Sequence, residues 1–154
     1  MRNLIDVITT TIDKYNVPRS LIQIELTESA SDVVNDTLRP LVEGLSQEGI
    51  STAVDDFGTG FSSMSLIKEL PWNVLKIDKS LLMGAQKDGS SDQLMLKSII
   101  SMANTMGLEC IVEGVETKDD VRILKESGCF MAQGYYFSKP KPKEEFEKQL
   151  NKLA

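Results

Sequence analysis

An α/β fold on a parallel sheet is the class this sequence predicts, and three observations predict it. Short apolar runs of strand character alternate with helix-type segments. The turns between them are short. Each apolar run carries polar residues toward its C-terminal end. Alternating strands and helices imply right-handed crossovers and a parallel sheet. Two architectures fit about five such units in 154 residues. One is an open doubly wound sheet. The other is an incomplete TIM-type (β/α)8 barrel, whose full form takes roughly 250 residues.

The elements follow in order. MRNLIDVITTTIDKY reads as an amphipathic helix with Leu4, Ile5, Ile8 and Ile12 as its stripe. LIQIEL (21–26) is the first strand. A helix over 36–48 presents Leu38, Leu41 and Leu45, with Pro40 expected in its first turn behind an Asn35 or Asp36 cap. ISTAVDDF (50–57) is the second strand. A short helix from Ser62 to Glu69 is stopped by Pro71, and VLKID (74–78) is the third strand. QKDGSSDQ (86–93) reads as a polar loop. A longer helix over 92–106 ends at Gly107, before the fourth strand, LECIVEGV (108–115). Thr117 and Asp120 suit a capping box for the next helix, which ends at Gly128. FMAQGYYF (130–137) is the fifth strand. A last helix over 143–153 presents Phe146, Leu150 and Leu153. No domain boundary interrupts this pattern, so residues 1–154 are expected to form a single domain.

Composition narrows the chemistry. Net charge is −6 with no long basic run, which argues against binding DNA or RNA through the phosphate backbone. An anionic substrate needs a local cation or a bound metal to approach such a chain. Histidine is absent, so a metal site must be built from oxygen, which favours Mg²⁺, Mn²⁺ or Ca²⁺. Cys110 and Cys129 lack CxxC spacing, and a buried free thiol at Cys110 suits a reducing cytoplasm. No apolar run approaches the roughly 20 residues of a membrane helix.

Strand parity locates a candidate site. Glu25, Asp55 with Asp56, Lys76 with Asp78, Glu113 and Gln133 fall toward the C-terminal ends of five successive strands. Side chains alternate faces along a strand, and Gln23 and Glu25 oppose Ile22, Ile24 and Leu26. Lys76 and Asp78 oppose Leu75 and Ile77 in the same way. A lone glutamate at a strand end is ordinarily a solvated rim residue, and a DD pair is as often a turn signal as a metal site. Recurrence at one end of five strands favours convergence. In a barrel that face is the interior, and its C-terminal end is the mouth where active sites lie. Converging carboxylates with one lysine describe an oxygen-rich divalent metal site. The charge separating Asp55 from Asp56 is then a metal pair, or a metal with Lys76.

ELTES (25–29), DDFGTGFSS (55–63), LKIDKS (75–80), EGVET (113–117) and QGYYFSKP (133–140), in this order, closely resemble the EAL domain. That family hydrolyses cyclic di-GMP on a modified TIM barrel. The resemblance implies metal ligation by Glu25, Asp55 (bridging two metals) and Asp56, with Mg²⁺ or Mn²⁺ as the ions. It implies that Lys76 orients the attacking water or a phosphate oxygen, that Glu113 is a candidate general base, and that Gln133 completes the water and metal shell. Glu28 would brace the loop Phe57, Gly58, Thr59, Gly60, Phe61, Ser62 and Ser63, which in the family couples metal binding to dimerisation. Phe61 stands where tyrosine is more usual.

The sequence departs from the family more sharply in another respect. It contains no Glu-Ala-Leu motif. The resemblance implies that this glutamate and an asparagine on the following strand, both metal ligands, are missing, along with roughly three strands. The chain is therefore expected to be the last five strands and their helices of an EAL barrel. Open edges are expected near 21–26 and 131–137, completed by a second copy or another chain. Weak or absent hydrolysis is expected of these residues alone. The alternative is a degenerate EAL remnant that acts as a protein-interaction or cyclic di-GMP-binding module.

Overall fold

The computed structural model describes residues 4–27, 35–59, 64–87 and 89–151. Helix α1 (Leu4–Lys14) leads into strand β1 (Gln23–Thr27), helix α2 (Asn35–Gln47) and strand β2 (Ser51–Phe57). Helix α3 (Met64–Glu69), strand β3 (Val74–Ile77) and helices α4 (Lys79–Gly84) and α5 (Ser91–Met106) follow. Strand β4 (Glu109–Val112), helix α6 (Lys118–Glu126), strand β5 (Met131–Ala132) and helix α7 (Lys143–Leu150) complete the described chain. Among the described residues no helix is long and apolar enough to cross a membrane.

All strand pairs are parallel, and the sheet order is β1-β2-β3-β4-β5. This order separates the two candidate architectures. A doubly wound sheet reverses its strand order at a switch point, which throws helices onto both faces. Here the order never reverses, so crossovers of one hand stack the connecting helices on one face, as in a barrel wall.

The main core lies under those helices. Val54, Leu75, Ile77 and Val112 from the strands meet Leu82, Leu96, Ile100 and Ile123 from the helices. The central strand β3 is buried at every residue, Lys76 included. A smaller cluster of Ile12, Leu45 and Ile50 ties α1 to α2, with Ile8, Ile22, Ile24 and Leu41 packed against it. Gly44 permits the approach, because a Cβ there would collide with Ile5. Leu4, expected in the stripe, is exposed instead. It lies outside that contact.

Further expectations change in the structure. Pro40 is the sixth residue of α2, inside the helix. Its ring removes one backbone donor there. The segment before the polar loop folds into α4. Asp78 starts that helix by accepting the Ser80 N–H at 2.9 Å. The loop shrinks accordingly, and Ser90 caps α5 through the Gln93 N–H.

The fifth strand is the largest correction. Only Met131–Ala132 pairs with β4. Gly134 then brings its backbone against Val115, where a Cβ would clash with main-chain atoms. The Tyr136 N–H bonds the Val115 carbonyl at 2.9 Å and fixes a turn. Tyr135, Tyr136 and Phe137 are left exposed. Phe146 and Leu150 of α7 are also exposed, and Leu153 lies outside the described residues.

Candidate active site at the carboxyl end of the sheet

Lys76 sits near the end of β3 with its ammonium in the middle of an acidic triangle. Its Nζ is 2.7 Å from Glu25 Oε2, 2.9 Å from Asp55 Oδ1 and 2.9 Å from Glu113 Oε1. Those carboxylates come from β1, from β2 and from the residue after β4. Register explains the convergence. Val54 is paired with Leu75, so Asp55 lies beside Lys76, and Lys76 is paired with Ile111, two residues before Glu113. The Glu113 N–H extends the ladder to the Ile77 carbonyl at 3.0 Å.

The electrostatics are lopsided. Burial pulls the Lys76 pKa down, but the bonds from Glu25, Glu113 and Asp55 outweigh it and hold the group above the ordinary lysine range. Lys76 therefore stays protonated at neutral pH. Three carboxylates against one ammonium leave a formal excess of two negative charges at the mouth. An excess of oxygen-borne negative charge is the donor chemistry that hard divalent cations take. The donor set thus fits a hard divalent cation. Among the described residues no group of three acids is spaced to hold a metal by itself. What the acids hold in this structure is Lys76.

The two adjacent aspartates have different positions. Asp55 is half-buried and on the lysine. Asp56 is exposed and left-handed, with φ of 58°. The β2–β3 register shifts between Val54 and Phe57, so Asp56 sits on a bulge. Bulges re-aim side chains beside active sites. A left-handed non-glycine residue costs roughly 1–2 kcal/mol, less for aspartate than for most. The Asp56 N–H is held by Asp55 Oδ1 at 3.0 Å.

Phe57 is buried and anchors the following turn. Gly58 has φ of 103°, and a Cβ there would collide with Leu81 of α4. The Thr59 hydroxyl donates to the Asp56 carbonyl at 3.2 Å. Glu28, Gly60, Phe61, Ser62 and Ser63 lie outside the described residues.

Gln133 is exposed, with its backbone fixed between Val112 and Val115, and it is not one of the groups on Lys76. Asp78, read with Lys76 as a site residue, is spent on capping α4. Burial opposes its charge, yet the Ser80 hydrogen bonds keep its pKa below the usual carboxylate value. One cation went unnoticed in sequence. The Lys79 stem packs where a Gly114 Cβ would lie, beside Glu113. Its spacing of three from Lys76 was the available signal.

A singly wound parallel sheet with an acid–lysine cluster at its carboxyl end defines a barrel-type α/β protein with its site at the mouth. The chain belongs to the EAL domain family, whose model matches residues 1–140. It is 40% identical over 147 residues to the signaling protein YkoW of Bacillus subtilis, across 95% of this chain and 18% of that protein. It is 34% identical over 148 residues to the cyclic di-GMP phosphodiesterase NbdA of Pseudomonas aeruginosa, across 96% of this chain and 19% of that one. The chain thus spans under a fifth of either relative. Among solved structures it resembles the EAL domain of Mycobacterium smegmatis DcpA with a TM-score of 0.86 and 36% identity, over 96% of this chain and 66% of that one. It also resembles Klebsiella pneumoniae BlrP1 in its manganese and cyclic di-GMP complex, with a TM-score of 0.81 and 28% identity, over 88% and 35% of the respective chains.

Proposed function

We propose that residues 1–154 form the carboxyl-side portion of a metal-dependent cyclic di-GMP phosphodiesterase domain that opens one phosphodiester bond to give linear pGpG. The single observation that carries this reading is the convergence of Glu25, Asp55 and Glu113 on the Lys76 ammonium. The name of NbdA and the manganese-bound nucleotide complex of BlrP1 support the substrate and the metal class.

Glu25, Asp55 and Asp56 would hold Mg²⁺ or Mn²⁺. A bound divalent cation supplies polarisation of a phosphoryl oxygen and acidification of water. The remaining chemistry belongs to the chain. An ammonium has three N–H donors, and Lys76 has three carboxylates on them. It must give up one before it can donate to a phosphoryl oxygen as charge grows there. Glu113 accepts a proton from the attacking water, and Gln133, exposed at the same end, orients that water. Glu28 would brace the loop from Phe57 to Ser63. Two free buried cysteines fit a cytoplasmic setting.

Hydrolysis by residues 1–154 alone is weak in this reading, because the Glu-Ala-Leu glutamate is not in the sequence. The strand edges at β1 and β5 are completed by a second copy or by another chain. That missing motif also favours a second reading, a regulatory module that binds cyclic di-GMP or a protein without cleaving it.

Chromatography of cyclic di-GMP incubated with Mn²⁺ and the purified chain, alone and extended through a Glu-Ala-Leu element, separates the readings. pGpG only from the extended chain, lost in Lys76→Met, is expected. Robust turnover by residues 1–154 overturns the incompleteness. No turnover by the extended chain overturns the enzyme in favour of the module.

A further inference from the structure

A second reactive cluster lies on the helix side of the sheet, away from the acidic mouth. Cys110 in β4 and Cys129, two residues before β5, are both free and both in the main core. The Cys129 sulfur is 3.4 Å from the Cys110 carbonyl oxygen and 3.2 Å from that of Met131. Parallel pairing of Ile111 with Met131 holds the two segments side by side. Cys129, unlike Cys110, lines an open cavity of about 520 Å³ between α6 and β5, with Leu124, Lys125, Phe130, Met131 and Tyr136. Both thiols are buried, and Cys129 is the one of the pair that borders the cavity.

We infer that Cys110 and Cys129 are a dithiol that a small peroxide, entering this cavity, converts reversibly to an intramolecular disulfide, with Cys129 reacting first. The division of labour follows from the surroundings. Its bond to the Cys110 thiol holds Cys129 below the ordinary thiol range, against burial and with help from the backbone amides of Met131 and Val112. Cys110 is held above that range by the same contact and by burial, so it remains a protonated thiol.

The chemistry balances in two steps. The Cys129 thiolate attacks one peroxide oxygen. The S–O bond forms, the O–O bond breaks, and hydroxide leaves to become water on taking up a proton. The Cys110 sulfur then attacks the sulfenic sulfur of Cys129. The S–S bond forms, the S–O bond breaks, and the proton lost by Cys110 leaves with the hydroxyl as water. Two thiols are oxidised by two electrons in total, one peroxide is reduced, and a dithiol reductant reverses the change. In a reducing compartment such a bridge is transient, which is the usual fate of intracellular disulfides.

The test uses the purified chain and hydrogen peroxide, read by intact mass and peptide mapping without reductant. The expected product has lost two hydrogens, links the Cys110 and Cys129 peptides, and reverts with dithiothreitol. Cys110→Ser should trap Cys129 as a sulfenic acid captured by dimedone. Cys129→Ser should slow oxidation of the remaining thiol by at least about tenfold. A cross-link only between copies, first reaction at Cys110, or thiols that stay reduced while free cysteine oxidises would overturn the proposal. Because the wild-type peptide map needs no variant, a folding defect in either serine variant leaves the test intact. The readout is thiol chemistry, so it is independent of any turnover of cyclic di-GMP.

Discussion

The centre of the sheet and its β5 end are built by the same chain under opposite constraints. β3 has a paired neighbour on both sides and no residue left in water. Even its lysine is enclosed and saturated by three acids. β5 pairs on one side over two residues, and the chain around it displays Phe130, Tyr135 and Phe137 to solvent. Closure on both sides lets the centre hold a buried charge in fixed geometry. Among the described residues, the one-sided end has neither a second ladder nor a lid over its aromatic residues. The functional atoms accordingly sit where four strands brace one another, and the unsatisfied apolar surface sits where bracing stops.

The largest effect should come from the centre. Leu75 is fully buried beside Lys76, and Leu75→Ala leaves a cavity that the packed neighbours cannot fill. A loss of about 2–5 kcal/mol is expected in chemical denaturation. A loss below about 1 kcal/mol would show that the centre is looser than its packing indicates.

The next effect tests how a buried acid behaves away from Lys76. The Asp120 carboxylate accepts the Glu116 and Thr117 N–H groups at 3.0 and 2.8 Å and the Gln86 amide at 3.1 Å. Burial opposes its charge, but these bonds prevail and its pKa is lowered. A carboxyl whose folded pKa is depressed stabilises the protein above its unfolded value, near 3.9. That contribution is lost as pH falls from there through the folded value. Asp120→Asn, which keeps the shape and loses the charge, should cost about 1–2 kcal/mol at pH 7. The cost should shrink under acid, and an unchanged gap between pH 7 and pH 3 in thermal melts would contradict the assignment.

Asp56 offers a smaller effect of opposite sign. Glycine tolerates the left-handed bulge without a Cβ penalty but adds freedom to the unfolded chain. Asp56→Gly should therefore change stability by about 0 to +1 kcal/mol. Calorimetric affinity for Mn²⁺ should fall in the same variant. Metal binding that survives Asp56→Gly but not Asp55→Ala would confine ligation to the residue on the lysine.

Much of this was legible in sequence because it depends on parity and spacing. Alternation placed Glu25, Lys76 and Glu113 on one face, and Thr117 with Asp120 formed the capping box that their separation of three announced. Position in a family of motifs fixed the barrel class. The hub role of Lys76 was not legible, because parity gives a face and not a distance. The left-handed bulge at Asp56 was not legible either, since a bulge breaks the alternation from which parity is read. The fifth strand failed because aromatic residues favour strands locally, while the Gly134 contact with Val115, a tertiary event, turns the chain away.

The smallest effect on stability belongs to the open end, and it is the one that separates the two regions most cleanly. Phe130 is 86% exposed, so Phe130→Ser removes almost no buried surface from the chain itself. Its stability should stay within about 0.5 kcal/mol of wild type. If a second copy covers this end, the same substitution strips an apolar anchor from the contact, and interface aromatics carry a large share of binding energy. Self-association followed by light scattering across a concentration series should then weaken by at least about tenfold, which corresponds to roughly 1.4 kcal/mol. A variant that loses stability as a monomer would mean that Phe130 belongs to the core after all. A variant that assembles as well as wild type would move the copy-to-copy contact away from β5 and leave this edge to a different chain.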